Sequence, residues 1–112
     1  MKVGELASAL GLEVLTGNVN LDREIQSGYT SDLLSDVIAN IEENSLWITI
    51  QRHINILGVA KLKDIAAILI PRNLQLDQEV IDKARTESIA ILRGGLSAFE
   101  FSGLLYNALK RG

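Results

Sequence analysis

Helical segments and short aliphatic strands alternate along this chain with connections of only a few residues. That pattern predicts an α/β domain: a three-layer α/β/α arrangement with a small, mostly parallel sheet covered by helices on both faces. Two observations carry the prediction. Residues 46–50 and 65–70 are short, nearly continuous apolar runs rich in branched side chains, as strands buried on both faces are. Between and after them the apolar residues recur at the spacing of a helix.

Taken in order, each element follows from local chemistry. Val3, Leu6, Ala7 and Leu10 share one helical face, and Gly11 stands where a helix end turns left-handed. Residues 12–16 read as a brief strand, and Gly17, Asn18, Val19 and Asn20 as a turn leading to Asp22 and Arg23. A second strand is placed at 25–30, the least strand-like of the set because Gln26, Ser27 and Gly28 interrupt it. From Ser31 the period is helical: Leu33, Leu34, Val37, Ile38 and Ile41 form a stripe, with Ser31 or Asp32 as the N-cap. Asn44 and Ser45 break that helix, 46–50 form a buried strand, and 51–53 a polar loop. The helix at 55–63 is apolar on Ile56, Leu57, Val59, Ala60 and Leu62, and the strand at 65–70 stops at Pro71. Asp77 caps a helix that turns Val80, Ile81 and Ala84 inward, and 89–92 make the last strand. Ser97-Ala98-Phe99-Glu100 is a capping box, in which serine and glutamate satisfy each other's backbone amides. The helix it opens ends on Lys110 and Arg111, cations suited to the negative end of the helix dipole.

Composition excludes more than the motifs assert. The chain has 112 residues, enough for one domain over 1–112, and carries 11 basic and 14 acidic side chains for a net charge of −3. With 47% hydrophobic but only 4% aromatic residues, the core has to be aliphatic. Weak acidity without a basic stretch argues against nucleic acid as a partner. The absence of cysteine removes disulfides, thiolate zinc sites, iron–sulfur ligation and a cysteine nucleophile. One histidine leaves little for a metal, so neither a metal nor a cofactor is expected. The longest apolar run falls far short of the ~20 residues that span a bilayer, and no leader pattern opens the chain, so a cytoplasmic protein without a membrane role is expected.

No glycine precedes Lys-Ser or Lys-Thr as in a phosphate-binding P-loop, and Gly94-Gly95 is only a fragment of a dinucleotide-binding turn. A Gly-x-Ser-x-Gly elbow is also missing, so any triad would have to use His53. Asp32 and Asp36, four apart on one helix, are read as a cap and a solvated charge rather than a cation site, which needs more oxygen ligands. Trp47 is read as core or interface, and Tyr29 and Tyr106 as amphipathic packers. What survives is spatial. In a parallel sheet the strand carboxyl ends collect Ser31 and Asp32, then Gln51, Arg52, His53 and Asn55, then Arg72 and Asn73, then Arg93, Gly94, Gly95 and Ser97. The diglycine and the free amides of the following helix favour a small anion, by up to about 1 kcal/mol where partly exposed. The candidate ligand-binding set is therefore Ser31, Asp32, Gln51, His53, Asn55, Arg93, Gly94, Gly95 and Ser97, with no catalytic residue assigned.

Asp22-Arg23, Gly28, the run Ser31-Asp32-Leu33-Leu34-Ser35-Asp36-Val37, then Leu46-Trp47-Ile48-Thr49-Ile50-Gln51 with His53 and Asn55-Ile56, and finally Ser97-Ala98-Phe99-Glu100 together resemble the DRTGG domain, in this order and over nearly the whole chain. The eponymous Thr-Gly-Gly falls at Gln26-Ser27-Gly28, so only its last glycine is kept. The resemblance implies a fold like the N-terminal domain of HPr kinase/phosphorylase. It also implies an accessory role beside kinase, phosphotransacetylase or pyrophosphatase modules, occurrence near hydrogenase components, and pairing as a dimer. The leading expectation is thus a non-catalytic regulatory or ligand-sensing module, homodimeric, taking a small anionic metabolite or nucleotide at the strand carboxyl edge. A scaffold for a redox enzyme complex of the hydrogenase type is the alternative, and a small enzyme using His53 with Asp32 is a third.

Overall fold

The computed structural model describes residues 1–111, the last of them by its backbone alone. The elements follow one another as α1 (Val3–Leu10), β1 (Glu13–Val14), β2 (Ser27–Thr30), α2 (Leu34–Asn40), β3 (Ser45–Ile48), α3 (Asn55–Leu62), β4 (Ala67–Ile70), α4 (Gln78–Thr86), β5 (Ala90–Arg93) and α5 (Ala98–Arg111). One sheet holds the strands in the order β1-β5-β4-β3-β2. The last four chain strands run parallel, and β1 alone is antiparallel, on β5.

Because each parallel strand pairs with the next in the chain, successive right-handed crossovers lay α2, α3 and α4 on the same face. Trp47, Ile68, Ile70 and Ile91 point into that layer and meet Val37, Ile56, Val59, Val80 and Ala84. The intervening residues Leu46, Ile48, Leu69 and Leu92 point to the other face, where α1 and α5 cover them with Leu6, Phe101 and Leu105. This is the two-sided burial that continuous apolar strands demand, and it is the three-layer architecture expected from the alternation.

Several local expectations shift. Strand 25–30 shortens to Ser27–Thr30, and strand 12–16 to two residues, although Leu15 N–H still donates to the Ile91 carbonyl at 2.9 Å. Helix α2 begins at Leu34, so two of its five stripe residues, Leu33 and Ile38, are exposed rather than buried; Leu62 of α3 is exposed as well. Asp77 occupies the N-cap of α4 without a side-chain capping bond. The capping box of α5 forms as read: Glu100 N–H donates to Ser97 Oγ at 3.1 Å and Ser97 N–H to Glu100 Oε1 at 3.2 Å. Lys110 lies in the last turn of α5, and the side chain of Arg111 is outside the described residues.

At the amino end of the sheet, Asn44 and Asp64 enter β3 and β4 through left-handed turns, with φ of 61° and 50°. Arg23 ties the two turns together. Its guanidinium donates to Asn44 Oδ1 at 2.9 Å and to Asp64 Oδ1 at 2.9 Å, with a further bond to the Asp64 carbonyl. The arginine of the Asp22-Arg23 pair is thereby a structural clamp.

Candidate functional site

The sheet's carboxyl edge separates into two groups of candidate residues, each closed upon itself. At the ends of β2 and β3, Asp32 does not cap α2 as read; its Oδ1 accepts from Thr49 Oγ1 at 2.9 Å and from Ile50 N–H at 2.8 Å. Gln51 returns the connection, donating from Nε2 to the Asp32 carbonyl at 2.8 Å. The Ser31 carbonyl accepts from Trp47 Nε1 at 2.9 Å, and Ser31 Oγ from Leu33 N–H at 3.3 Å, nearer the helix-start role assigned to it. These bonds sew the loop leaving β2 onto the end of β3.

Asp36 is likewise not a solvated charge. Half-buried, it accepts from the Tyr29 hydroxyl at 2.8 Å and from Asn40 Nδ2 at 3.0 Å. The Tyr29 bond holds the Asp36 carboxyl below its ordinary range, with Ser31 adding to the effect, and the same bond raises the Tyr29 phenol above its own.

His53 lies exposed in the loop after β3, where its Nδ1 accepts from Asn55 N–H at 3.1 Å at the start of α3. The His53 and Asp32 acceptors are thus engaged by different backbone segments. Asn55 lines a shallow pocket together with Lys61 and Glu87, whose ion pair holds the Glu87 carboxyl below its ordinary range. Among the described residues no group of three or more His, Cys, Asp or Glu is placed to hold a metal ion.

The second group lies where a ligand crevice would form. The helices after β4 and β5 leave on opposite faces, so the strand carboxyl ends there are the topological switch point of the sheet. Here the loops after β4 and β5 bond to each other: Arg72 N–H donates to the Leu96 carbonyl, and Asn73 N–H to Gly94, both at 2.8 Å. Gly94 is buried, and a Cβ on it would stand 2.5 Å from the Phe101 ring and 2.7 Å from Leu12. Arg93 is neutralised, its Nη2 meeting Glu13 Oε1 at 2.7 Å while Nη1 donates to the Leu74 carbonyl at 3.3 Å. Ser97 is occupied by the capping box. Gly94 therefore makes a close approach between layers, and the arginine before it is paired with Glu13.

Asp32 thus acts as a splint, and its replacement separates geometry from charge. Asp32→Ala is expected to cost about 1–3 kcal/mol by leaving the Ile50 amide and Thr49 hydroxyl without their acceptor. Asp32→Asn, which keeps an oxygen there, is expected to cost much less. Urea denaturation of both variants checks this; equal losses would make the negative charge the important feature.

An open groove of about 510 Å³ lies elsewhere, along the free edge of β2 under the flank of α5. Gln26, Ser27 and Thr30 form one wall, and Leu105, Tyr106 and Lys110 the other. It coincides with the altered Gln26-Ser27-Gly28 stretch. Gly28 is required there because a Cβ would stand 2.5 Å from Leu105 Cδ2. Across Tyr106 the surface continues onto the outer side of α5, where Phe99 is 87% and Tyr106 67% exposed, flanked by Leu96, Gly103 and Leu104. The capping box was visible in sequence, but that α5 turns two aromatic rings outward depends on which of its faces meets the sheet.

No family model and no curated protein sequence matches the chain. Among solved structures, the CBS and DRTGG domains of the regulatory region of Clostridium perfringens pyrophosphatase, complexed with the activator diadenosine tetraphosphate, superpose with a TM-score of 0.69 at 13% identity. The match covers 92% of this chain and 45% of that one, so this chain spans less than half its length. Among the described residues no helix is long and apolar enough to cross a membrane. The resemblance carried by Asp22-Arg23, Gly28 and the 31–37 run thus meets a structural counterpart: the chain has a DRTGG-like α/β/α fold, shared with part of an enzyme's regulatory region.

Proposed function

We propose that residues 1–112 form a non-catalytic regulatory module that works as a homodimer, with the outer face of α5 as its interface. The observation that carries this reading is the exposed aromatic stripe on α5. Phe99 and Tyr106 lie four residues before and three after Gly103, whose missing side chain leaves open space at the middle of the stripe. A second copy of the helix crossing antiparallel near that glycine sets Phe99 of one protomer against Tyr106 of its partner, twice by symmetry. The charges agree with that direction. Glu100 in the first turn of each helix approaches the last turn of the other, which carries Lys110. Burying a large side chain of this kind contributes about 1.5–3 kcal/mol.

The regulatory part of the reading draws support from the fold, which is shared with a regulatory region crystallised with its activator. It draws further support from the carboxyl edge, where Asp32, His53 and Arg93 serve as acceptors or partners within the framework rather than as a reacting group.

Light scattering on the whole chain tests the dimer. The expected mass is twice 12.2 kDa at high micromolar concentration, falling to 12.2 kDa for Phe99→Glu with an unchanged circular dichroism melt. A wild-type chain that stays at 12.2 kDa up to millimolar concentration, or a Phe99→Glu variant that still pairs, would overturn it.

A further inference from the structure

The groove beside α5 shares Tyr106 and Lys110 with the dimer face and adds features of its own. It lies on the open side of β2, the sheet's edge strand, where outward backbone amides and carbonyls are without a neighbouring strand. Its floor is apolar, formed by Leu105 packed over Gly28 and by Leu109. One wall presents the flat face of Tyr106, with the Lys110 ammonium 5.9 Å from the ring centroid. The rim offers the Gln26 amide and the Ser27 hydroxyl. Its charge is also unusual for this molecule. The chain carries a net charge of −3, yet among the described residues that line the groove there is no carboxylate, and Lys110 is the charged side chain. At about 510 Å³ the space falls within the range of roughly 300–1,000 Å³ typical of small-molecule sites.

We propose that this groove binds a small organic anion with a flat, apolar body. The ring lies on Tyr106 and over Leu105 and Leu109, as aromatic bodies do on a tyrosine face. The anionic group meets Lys110 in a charge-assisted hydrogen bond, and the polar edge of the ring is read by Gln26 and Ser27. A single lysine suits one anionic group, so an aromatic carboxylate and a nucleoside monophosphate are the two sources of this chemistry. The site stands apart from the residues of the carboxyl edge described above and does not require the dimer, although Tyr106 and Lys110 border both surfaces.

Calorimetric titration of the whole chain with an aromatic carboxylate, a nucleoside monophosphate, the matching nucleoside and inorganic phosphate tests the proposal. One of the two flat anions is expected to saturate the protein below millimolar concentration, and which of them does so identifies the source. The nucleoside and phosphate alone are expected to bind roughly tenfold or more weakly, as loss of one such contact implies. Lys110→Met, which keeps the stem and removes the charge, is expected to weaken the flat anion by a similar factor. Failure of both flat anions to saturate, or an unchanged affinity in Lys110→Met, would overturn the site. Two results separate the readings: a wild-type chain that stays monomeric yet binds a flat anion upholds the groove alone, and a wild-type dimer that takes up neither anion upholds the interface alone.

Discussion

Replacing Gly94 with alanine is expected to destabilise the protein by about 1–3 kcal/mol, the usual cost of forcing extra volume into a packed interior. The added methyl would stand 2.5 Å from the tip of the Phe101 ring and 2.7 Å from Leu12 Cδ2. Phe101 is buried at 1% exposure, where α5 meets the sheet, so its ring cannot simply swing away. The backbone at Gly94 is not left-handed, which leaves steric space as the reason for glycine. Gly95 supplies the control. Its added methyl would meet only Asn73 Nδ2, at 3.0 Å, the end of a flexible side chain, so Gly95→Ala is expected to be nearly neutral. Thermal melts of the two variants read the difference directly, since 1 kcal/mol moves the midpoint of a domain this size by about 4 °C. Equal melting temperatures with wild type for both would return the diglycine to the role of an anion loop.

A second large effect is expected at Trp47, which is fully buried within β3 and is the only tryptophan of the chain. Trp47→Ala removes the largest side chain of the α2–α3–α4 layer and is expected to cost about 3–5 kcal/mol, a large part of the 5–15 kcal/mol that holds an ordinary domain together. Trp47→Phe keeps most of the volume but loses the indole N–H bond to the Ser31 carbonyl, so a smaller cost of about 1–3 kcal/mol is expected. The two variants can be ranked by denaturant unfolding followed by circular dichroism. A Trp47→Phe variant as unstable as Trp47→Ala would mean that the bond to Ser31, rather than packing, dominates at this position.

The layers, the parallel sheet and most elements were legible because they rest on periodicity: a continuous apolar strand such as 67–70 can only be buried on both faces. The errors fall where tertiary partners override local rules. Asp32 has the chemistry of an N-cap, but the end of β3 offers it a buried hydroxyl and an amide, and it turns there instead. Leu33 and Ile38 fit a helical stripe, yet α2 starts later and rotates them outward. The residues at the strand carboxyl ends were collected correctly from the parallel pattern, but the bonds that Arg72 and Asn73 make across the ends of β4 and β5 depend on loop pairing that no period reveals. Arg23 was noticed only as part of a motif; the two left-handed turns that it bridges lie 21 and 41 positions away. The β2–α5 groove likewise joins residues from the first and last thirds of the chain.

The sequential strand order also has a consequence for biosynthesis. From β2 to β5 every strand pairs with the next one made, and each crossover helix settles on the layer already present. That half can consolidate while the polypeptide is still emerging, through contacts of modest sequence separation. The opposite face cannot. Leu46, Ile48 and Leu69 have only α1 to cover them until α5, which follows β5, has been made. A chain halted before Phe101 would therefore hold a sheet with one finished side and one aliphatic side half covered, the kind of surface on which nascent chains associate.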